Sequence, residues 1–163
     1  MKQDNLGNRI EELAIEYGKV VTHTGTELEQ NSVNFFQKWF KHLEKIAKLP
    51  IETKISPVKN DHLNRSVCYA LLQGKSKDTV VLIGHSDTVD VEDFGKIKDI
   101  AYEPEKIKEA FKNGQVDVLD KVKKDLTDEW LFGRGICDMK AGGAIEMALF
   151  EKYVQDEDFL GSV

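Results

Sequence analysis

The ten residues Val80–Val89, VVLIGHSDTV, join a short unbroken apolar run to a polar pair, and few folds accommodate both. Successive apolar side chains leave an extended chain on both faces. A strand over Thr79 to Gly84 is therefore predicted to be covered on both sides, at the centre of a sheet. Beyond Gly84, His85 and Asp87 stand two positions apart, a spacing that puts both side chains on the same face of an extended chain. They can reach into one crevice at the strand's end, which is where ligands collect in open α/β sheets. A further acid, Asp138, lies in Gly133–Gly142, GRGICDMKAG, between a glycine-rich turn and a helix-like segment. A neutral imidazole binds zinc well and a carboxylate beside it can fix its tautomer, so the three residues read as part of a metal site.

The remaining pattern supplies a scaffold of mixed α and β elements. Leu6, Ile10, Leu13, Ala14 and Tyr17 recur at spacings of three and four, which predicts a helix over Asn5 to Tyr17 with Gly18 as its stop. After the polar turn THTGTE, Thr22 to Glu27, a longer helix carries Phe36, Trp39, Phe40, Leu43, Ile46 and Ala47 and ends before Leu49-Pro50. The aromatic stripe at helical spacing reads as core rather than as a ligand platform. Strand-like pieces cover Ile51 to Val58 and Arg65 to Gln73, and a turn over Lys75 to Asp78 leads into the central run.

From Asp90 to Glu129 half of the 40 residues are charged, which reads as an insertion or lid. Short amphipathic helices are expected there over Glu105 to Lys112 and Gln115 to Leu126. The plainer reading is a solvated excursion without function. Trp130 to Phe132 reads as a short strand. Met139 to Tyr153 reads as a helix whose small face, Ala141, Ala144, Ile145, Ala148 and Leu149, lies against the sheet.

Several function classes are disfavoured by the residues themselves. At 163 residues the chain fits one domain that can bury a real core, and its net charge of −6 argues against a general nucleic-acid binder. No apolar run approaches the length of a membrane span, and the first residues lack the apolar stretch of a secretory signal. Two cysteines, Cys68 and Cys137, form no CxxC pair and fit a reducing, cytoplasmic setting. Gly84-His85-Ser86-Asp87-Thr88 matches a nucleophile elbow except at its last position, where Thr88 replaces glycine, so serine hydrolysis through Ser86 is disfavoured. GRGICD starts like a dinucleotide fingerprint but ends on Asp138, whose charge would oppose a pyrophosphate.

Structural roles are expected around the motif residues. Gly133 and Gly135 are expected to permit backbone angles closed to other residues, and Arg134 to pair with a local carboxylate. His23 is read as a surface residue of the polar turn.

GHSDTVD and GRGICDMKAGG resemble the two N-terminal metal motifs of the co-catalytic zinc exopeptidases, the group that includes acetylornithine deacetylase, succinyl-diaminopimelate desuccinylase, aminoacylase and glutamate carboxypeptidase. The order of helices, turn and strand pair before GHSD is similar too, so the likeness covers nearly the whole chain. The charged insert looks most like that of an arginine-utilization member. The resemblance implies a three-layer α/β/α domain around a mixed, mainly parallel sheet. It implies that His85 ligates one zinc, that Asp87 orients the imidazole, and that Asp138 bridges two zinc ions. It also implies a cis peptide at Asp138-Met139 and a small packed residue at Cys137.

On this reading residues 1–163 are the N-terminal part of a catalytic domain, with the insertion at about 90–129 and without the group's lid or dimerisation domain. The general base would lie beyond Val163, because Glu11-Glu12 cannot substitute by order for the Glu-Glu pair of the group. With two first-shell ligands against the usual three, the piece alone is expected to be inactive. The expected substrate is a small amino-acid derivative or peptide, with no nucleic-acid or membrane partner, and a homodimer of the longer protein is left open. A metal-free binding or scaffold module that kept the fold without catalysis is the alternative.

Overall fold

A computed structural model describes residues 6–163 as a mixed α/β structure of helices packed beside a small antiparallel sheet. Asn5, the first position of the predicted opening helix, lies outside the described residues. Helix α1, Leu6–Gly18, buries Leu13, Ala14 and Tyr17, the inner part of its three-and-four pattern. Thr26 then accepts a hydrogen bond from the Leu28 amide and caps a 3-10 turn over Glu27–Glu29. Helix α2, Gln30–Ile46, follows directly and stops where Ala47 becomes extended, three residues before Pro50.

Strands β1, Ile51–Pro57, and β2, Ser66–Leu72, pair antiparallel in a register running from Ile51 opposite Leu72 to Pro57 opposite Ser66. Their apolar face, with Ile51, Ile55, Cys68, Ala70 and Leu72, packs on Phe40 and Leu43 of α2 and on Phe150 and Val154. Leu43 and Leu72 are fully buried, and burial of that kind contributes about 1.5 to 3 kcal/mol per side chain. The aromatic stripe belongs to this core: Phe36, Trp39 and Phe40 touch one another, and Trp39 also meets Phe150.

The charged insertion has order of its own. A bent 3-10 segment over Glu92–Ile100 is followed by α3, Pro104–Lys112, and the five-residue α4, Asp120–Lys124. Ile97, Ile107 and Ala110 make a separate small core, covered by Phe94, Ile100, Phe111, Val116 and Phe132. The excursion is thus anchored, and its charge is the solvated side of packed elements. Helix α5, Ala141–Tyr153, completes the described fold.

Three expectations change. The small residues Ala144 and Ala148 lie against Leu13, Ala14 and Tyr17 of α1 rather than on the sheet, because helices with small facing residues can approach closely, and Ile145 turns outward. Trp130 to Phe132 forms no strand, since Phe132 is drawn into the insertion's core. The run Thr79 to Gly84 is not a covered strand. Among the described residues it is bridged to the rest of the fold only at Thr79, parallel to Ser162, and Val80, Val81 and Ile83 are 61%, 76% and 83% exposed. No strand adjoins the rest of this run among the described residues. None of the described helices is long and apolar enough to cross a membrane.

Candidate metal centre

The segment after Gly84 is held in place by the polar turn that precedes α2. The Thr88 amide donates to the Thr22 carbonyl at 2.7 Å and the Thr24 amide to the Thr88 carbonyl at 2.8 Å, a short parallel pairing centred on His23 and Thr88. The buried Thr22 hydroxyl donates to the Ser86 carbonyl at 2.7 Å. Threonine hydroxyls here take over backbone groups that a longer ladder would satisfy.

The second motif is shaped by Gly135, the one position of the turn with a left-handed backbone, at φ 75°. A β-carbon there would lie 2.4 Å from Thr88 Cγ2, so the glycine is required by both conformation and space. Gly133 has no such angle; its bare Cα instead admits Ile136, whose Cγ1 would be 3.0 Å from a β-carbon. Arg134 pairs with Asp93 and stacks its guanidinium on Phe94 at 5.0 Å, which ties the turn to the insertion as a local carboxylate partner was expected to do. After Gly135 the chain makes an irregular turn over Ile136–Lys140, in which Asp138 and Met139 leave helical geometry and the Asp138-Met139 peptide is cis.

These two supports bring together residues 53 positions apart. His85 Nε2 lies 2.9 Å from Asp138 Oδ1, while His85 Nδ1 faces Asp87 Oδ1 at 3.2 Å. The Thr24 hydroxyl donates to Asp87 Oδ2 at 2.7 Å, so the carboxylate behind the ring is itself held. Asp87 is kept below its ordinary range, first by the Thr24 hydroxyl against the opposing effect of partial burial, with the nearby imidazole adding. His85 is pushed up, chiefly by its bond to Asp138, again against partial burial and with help from Asp87. Both ring nitrogens therefore face acceptors, an arrangement that favours a cation on the outer side of the ring.

A proton between Nε2 and Oδ1 meets that demand, and so would a metal ion. Two donors of one tetrahedral zinc stand about 3.4 Å apart, from bond lengths of about 2.1 Å. The 2.9 Å pair is within about half an ångström of that separation. Two of the expected ligands are thus adjacent, with Asp87 behind the ring. Among the described residues no group of three or more His, Cys, Asp and Glu side chains could hold a metal ion.

Other residues are placed differently from expectation. Cys137 is exposed and free rather than packed, because the turn points residues 137 and 138 outward while Ile136 and Lys140 go in. His23 is half-buried in the pairing with Thr88, its ring 5.8 Å from that of Tyr102. Ser86 donates to Ser32 Oγ at 3.1 Å and among the described residues has no imidazole partner to activate it.

Three contributors escaped the sequence reading. Lys140 is almost fully buried; its ammonium donates to the Val20 carbonyl and lies 5.3 Å from the ring centres of both Tyr17 and Tyr102. Burial pushes the amine down to about 8. Tyr102, from the insertion, shares a 2.8 Å hydrogen bond with the Thr88 hydroxyl. Thr24 was visible only as one of several polar turn residues.

RocB of Bacillus subtilis (strain 168) is 32% identical over 147 residues, 88% of this chain and 26% of RocB. The chain is similar to RocB. The uncharacterized protein YqjN of the same organism is 32% identical over 131 residues, 79% of this chain and 23% of YqjN. This RocB-like chain spans about a quarter of the length of the curated relatives it matches. No family model matches it, and no solved structure gives a significant match.

Proposed function

We propose that the chain is the N-terminal portion of a metal-dependent amidohydrolase of the co-catalytic zinc exopeptidase kind, acting on a small amino-acid derivative or peptide. The observation that carries this reading is the 2.9 Å approach of His85 Nε2 to Asp138 Oδ1, with Asp87 held behind the imidazole by Thr24. His85 and Asp138 would hold the metal, Asp138 as the bridge between two ions. Asp87 would keep the Nδ1 proton and leave Nε2 free for the ion. When bound, zinc would lower the pKa of a water toward neutrality and polarise the scissile carbonyl. The Asp138 carboxylate is exposed at the turn. The general base and the remaining ligands would come from another part of a longer polypeptide, and the 163-residue piece would be inactive alone.

The arginine-utilization setting rests on the resemblance of the charged insert to such a member, and the chain is similar to RocB. The finer architecture, a three-layer domain with a mainly parallel sheet and Thr79 to Gly84 at its centre, belongs to the same proposal. A metal-free binding module is the rival, favoured by the lack of a third metal-binding side chain among the described residues.

Zinc titration by calorimetry on the full-length parent protein separates the two. His85→Ala and Asp138→Ala should each weaken binding by more than about tenfold. Stoichiometric binding that ignores both substitutions would sink the metal reading.

A further inference from the structure

The charged insertion reaches the candidate metal centre through Ala101 and Tyr102, the two residues that follow its bent 3-10 segment. Ala101 is fully buried, and its carbonyl accepts from the Arg134 amide of the glycine-rich turn at 2.7 Å. A β-carbon on Gly133 would stand 3.5 Å from that carbonyl oxygen and 3.7 Å from Pro104 Cγ at the start of α3, so the turn rests on the insertion's backbone. Tyr102 reaches further. Its hydroxyl shares the 2.8 Å hydrogen bond with the Thr88 hydroxyl, next in sequence to Asp87, and its ring lies 5.3 Å from the Lys140 ammonium, two residues after Asp138.

Both of these partners are buried, Thr88 at 4% and Lys140 at 1% exposure, so water cannot replace either contact. The Thr88 hydroxyl has a longer approach to the Thr22 carbonyl, 3.4 Å, which leaves Tyr102 as its nearer partner. Lys140 otherwise meets only the α1 side, at Tyr17 and the Val20 carbonyl. The two motifs touch directly at Thr88 and Gly135, where a β-carbon would meet Thr88 Cγ2 at 2.4 Å and Lys140 Cδ at 3.5 Å. Tyr102 lies across that meeting point. The insertion can hold it firmly, because Ile97 before it and Ile107 after it belong to one small core, and the Glu103 amide closes a turn on the Ile100 carbonyl at 2.8 Å.

We propose that the insertion is a brace for the candidate metal centre and that Tyr102 is its positioning residue. The hydroxyl fixes the first motif through Thr88, the ring fixes the second through Lys140, and together they set how His85 stands to Asp138. An insertion that reads as a solvated excursion is thereby given a task. That the motifs so held serve a metal rests on the proposed function, whereas the brace rests on the contacts themselves.

The test uses the full-length parent protein without added metal and follows amide exchange by mass spectrometry. Tyr102→Phe removes the hydroxyl and keeps the ring, so exchange over residues 84–89, which include the Thr88 amide bonded to Thr22, should rise by about fivefold while residues 136–140 stay as in wild type. Tyr102→Leu removes both contacts and should speed the two segments alike, including the Lys140 amide bonded to Gly135, with residues 66–72 of β2 unchanged. An unchanged first segment in Tyr102→Phe would overturn the brace, as would equal acceleration of β2, which marks a general loss of stability. The phenylalanine variant decides this even where the leucine variant fails to fold. Zinc titration of the same proteins should show affinity lowered by about fivefold in Tyr102→Phe and further in Tyr102→Leu. Wild-type affinity in both variants would overturn the positioning role. A wild type that binds no zinc would sink the metal reading and the positioning of ligands with it, while the exchange pattern still decides the brace.

Discussion

Glu151 joins three helices at one point, and removing it tests whether the α1, α2 and α5 assembly that carries the second motif rests on that junction. Its carboxylate is buried, with the residue 7% exposed, and accepts from Arg9 Nε at 2.8 Å, Arg9 Nη2 at 2.9 Å and Trp39 Nε1 at 2.9 Å. Deleting one partner of a buried ion pair costs about 3 to 5 kcal/mol. The Arg9 side chain is 35% exposed and can recover water, which brings the expected loss for Glu151→Ala to about 2 to 3 kcal/mol. With a urea slope of about 2 kcal/mol/M, the unfolding midpoint followed by circular dichroism should fall by about 1 to 1.5 M. Replacing both partners, Arg9→Met with Glu151→Leu, should recover most of that loss, because no charge is left buried.

The same junction has a pH signature. Burial alone would raise the Glu151 carboxyl, but the bonds from Arg9 and Trp39 outweigh it and leave the group below its ordinary value of 4.5. A carboxyl depressed by folding contributes stability that is fully present above 4.5 and is lost as pH falls through the lower folded value. The gap between wild type and Glu151→Gln should therefore be widest near neutrality and shrink in acid. A midpoint shift below about 0.3 M for Glu151→Ala, or a gap that widens in acid, would refute the reasoning.

Gly135→Ala must place a β-carbon 2.4 Å from Thr88 Cγ2 at φ 75°, and should lower stability by at least about 2 kcal/mol, seen as a fall of about 4 to 8 °C in Tm. Asp138→Asn removes the first cause of the raised His85 pKa, so a proton NMR titration should move that imidazole down toward its ordinary value. Asp87→Asn, which keeps the size of the group behind the ring, should weaken zinc binding by the full-length protein by about 10 to 100-fold with His85 still present. Under a disulfide reagent exposed Cys137 should react well before Cys68, whose half-buried thiol is pushed up by desolvation; equal rates would contradict the outward turn at residue 137.

Helices α1, α2 and α3 were legible because an amphipathic helix writes its burial into a period that local spacing reveals. Leu13 and Tyr17, or Phe36 and Phe40, face the core at the positions their intervals predict. β1 and β2 were legible for a similar reason, being short runs bounded by turn residues. Trp130–Phe132 was misread because three apolar residues fit a strand and a packed loop equally well. Its fate depended on the insertion's aromatic cluster, whose members are scattered in sequence. Lys140 was passed over since a lysine is ordinarily solvated; only the converging carbonyl of Val20 and two tyrosine rings make its burial tolerable.

The candidate centre divides along the same line. The sequence alone determined the chemistry on offer, His85 and Asp87 two apart after a glycine and Asp138 beside a glycine-rich turn, because residue identity and strand periodicity are local properties. Tertiary structure decided that His85 and Asp138 meet at 2.9 Å, and that Thr24 holds the carboxylate between the ring and the preceding turn. It also decided that Val80–Ile83 is exposed among the described residues, against its own composition. The physical reason is that an apolar run states a preference for burial, whereas burial itself needs neighbours on both sides, and only the arrangement of distant segments can provide them.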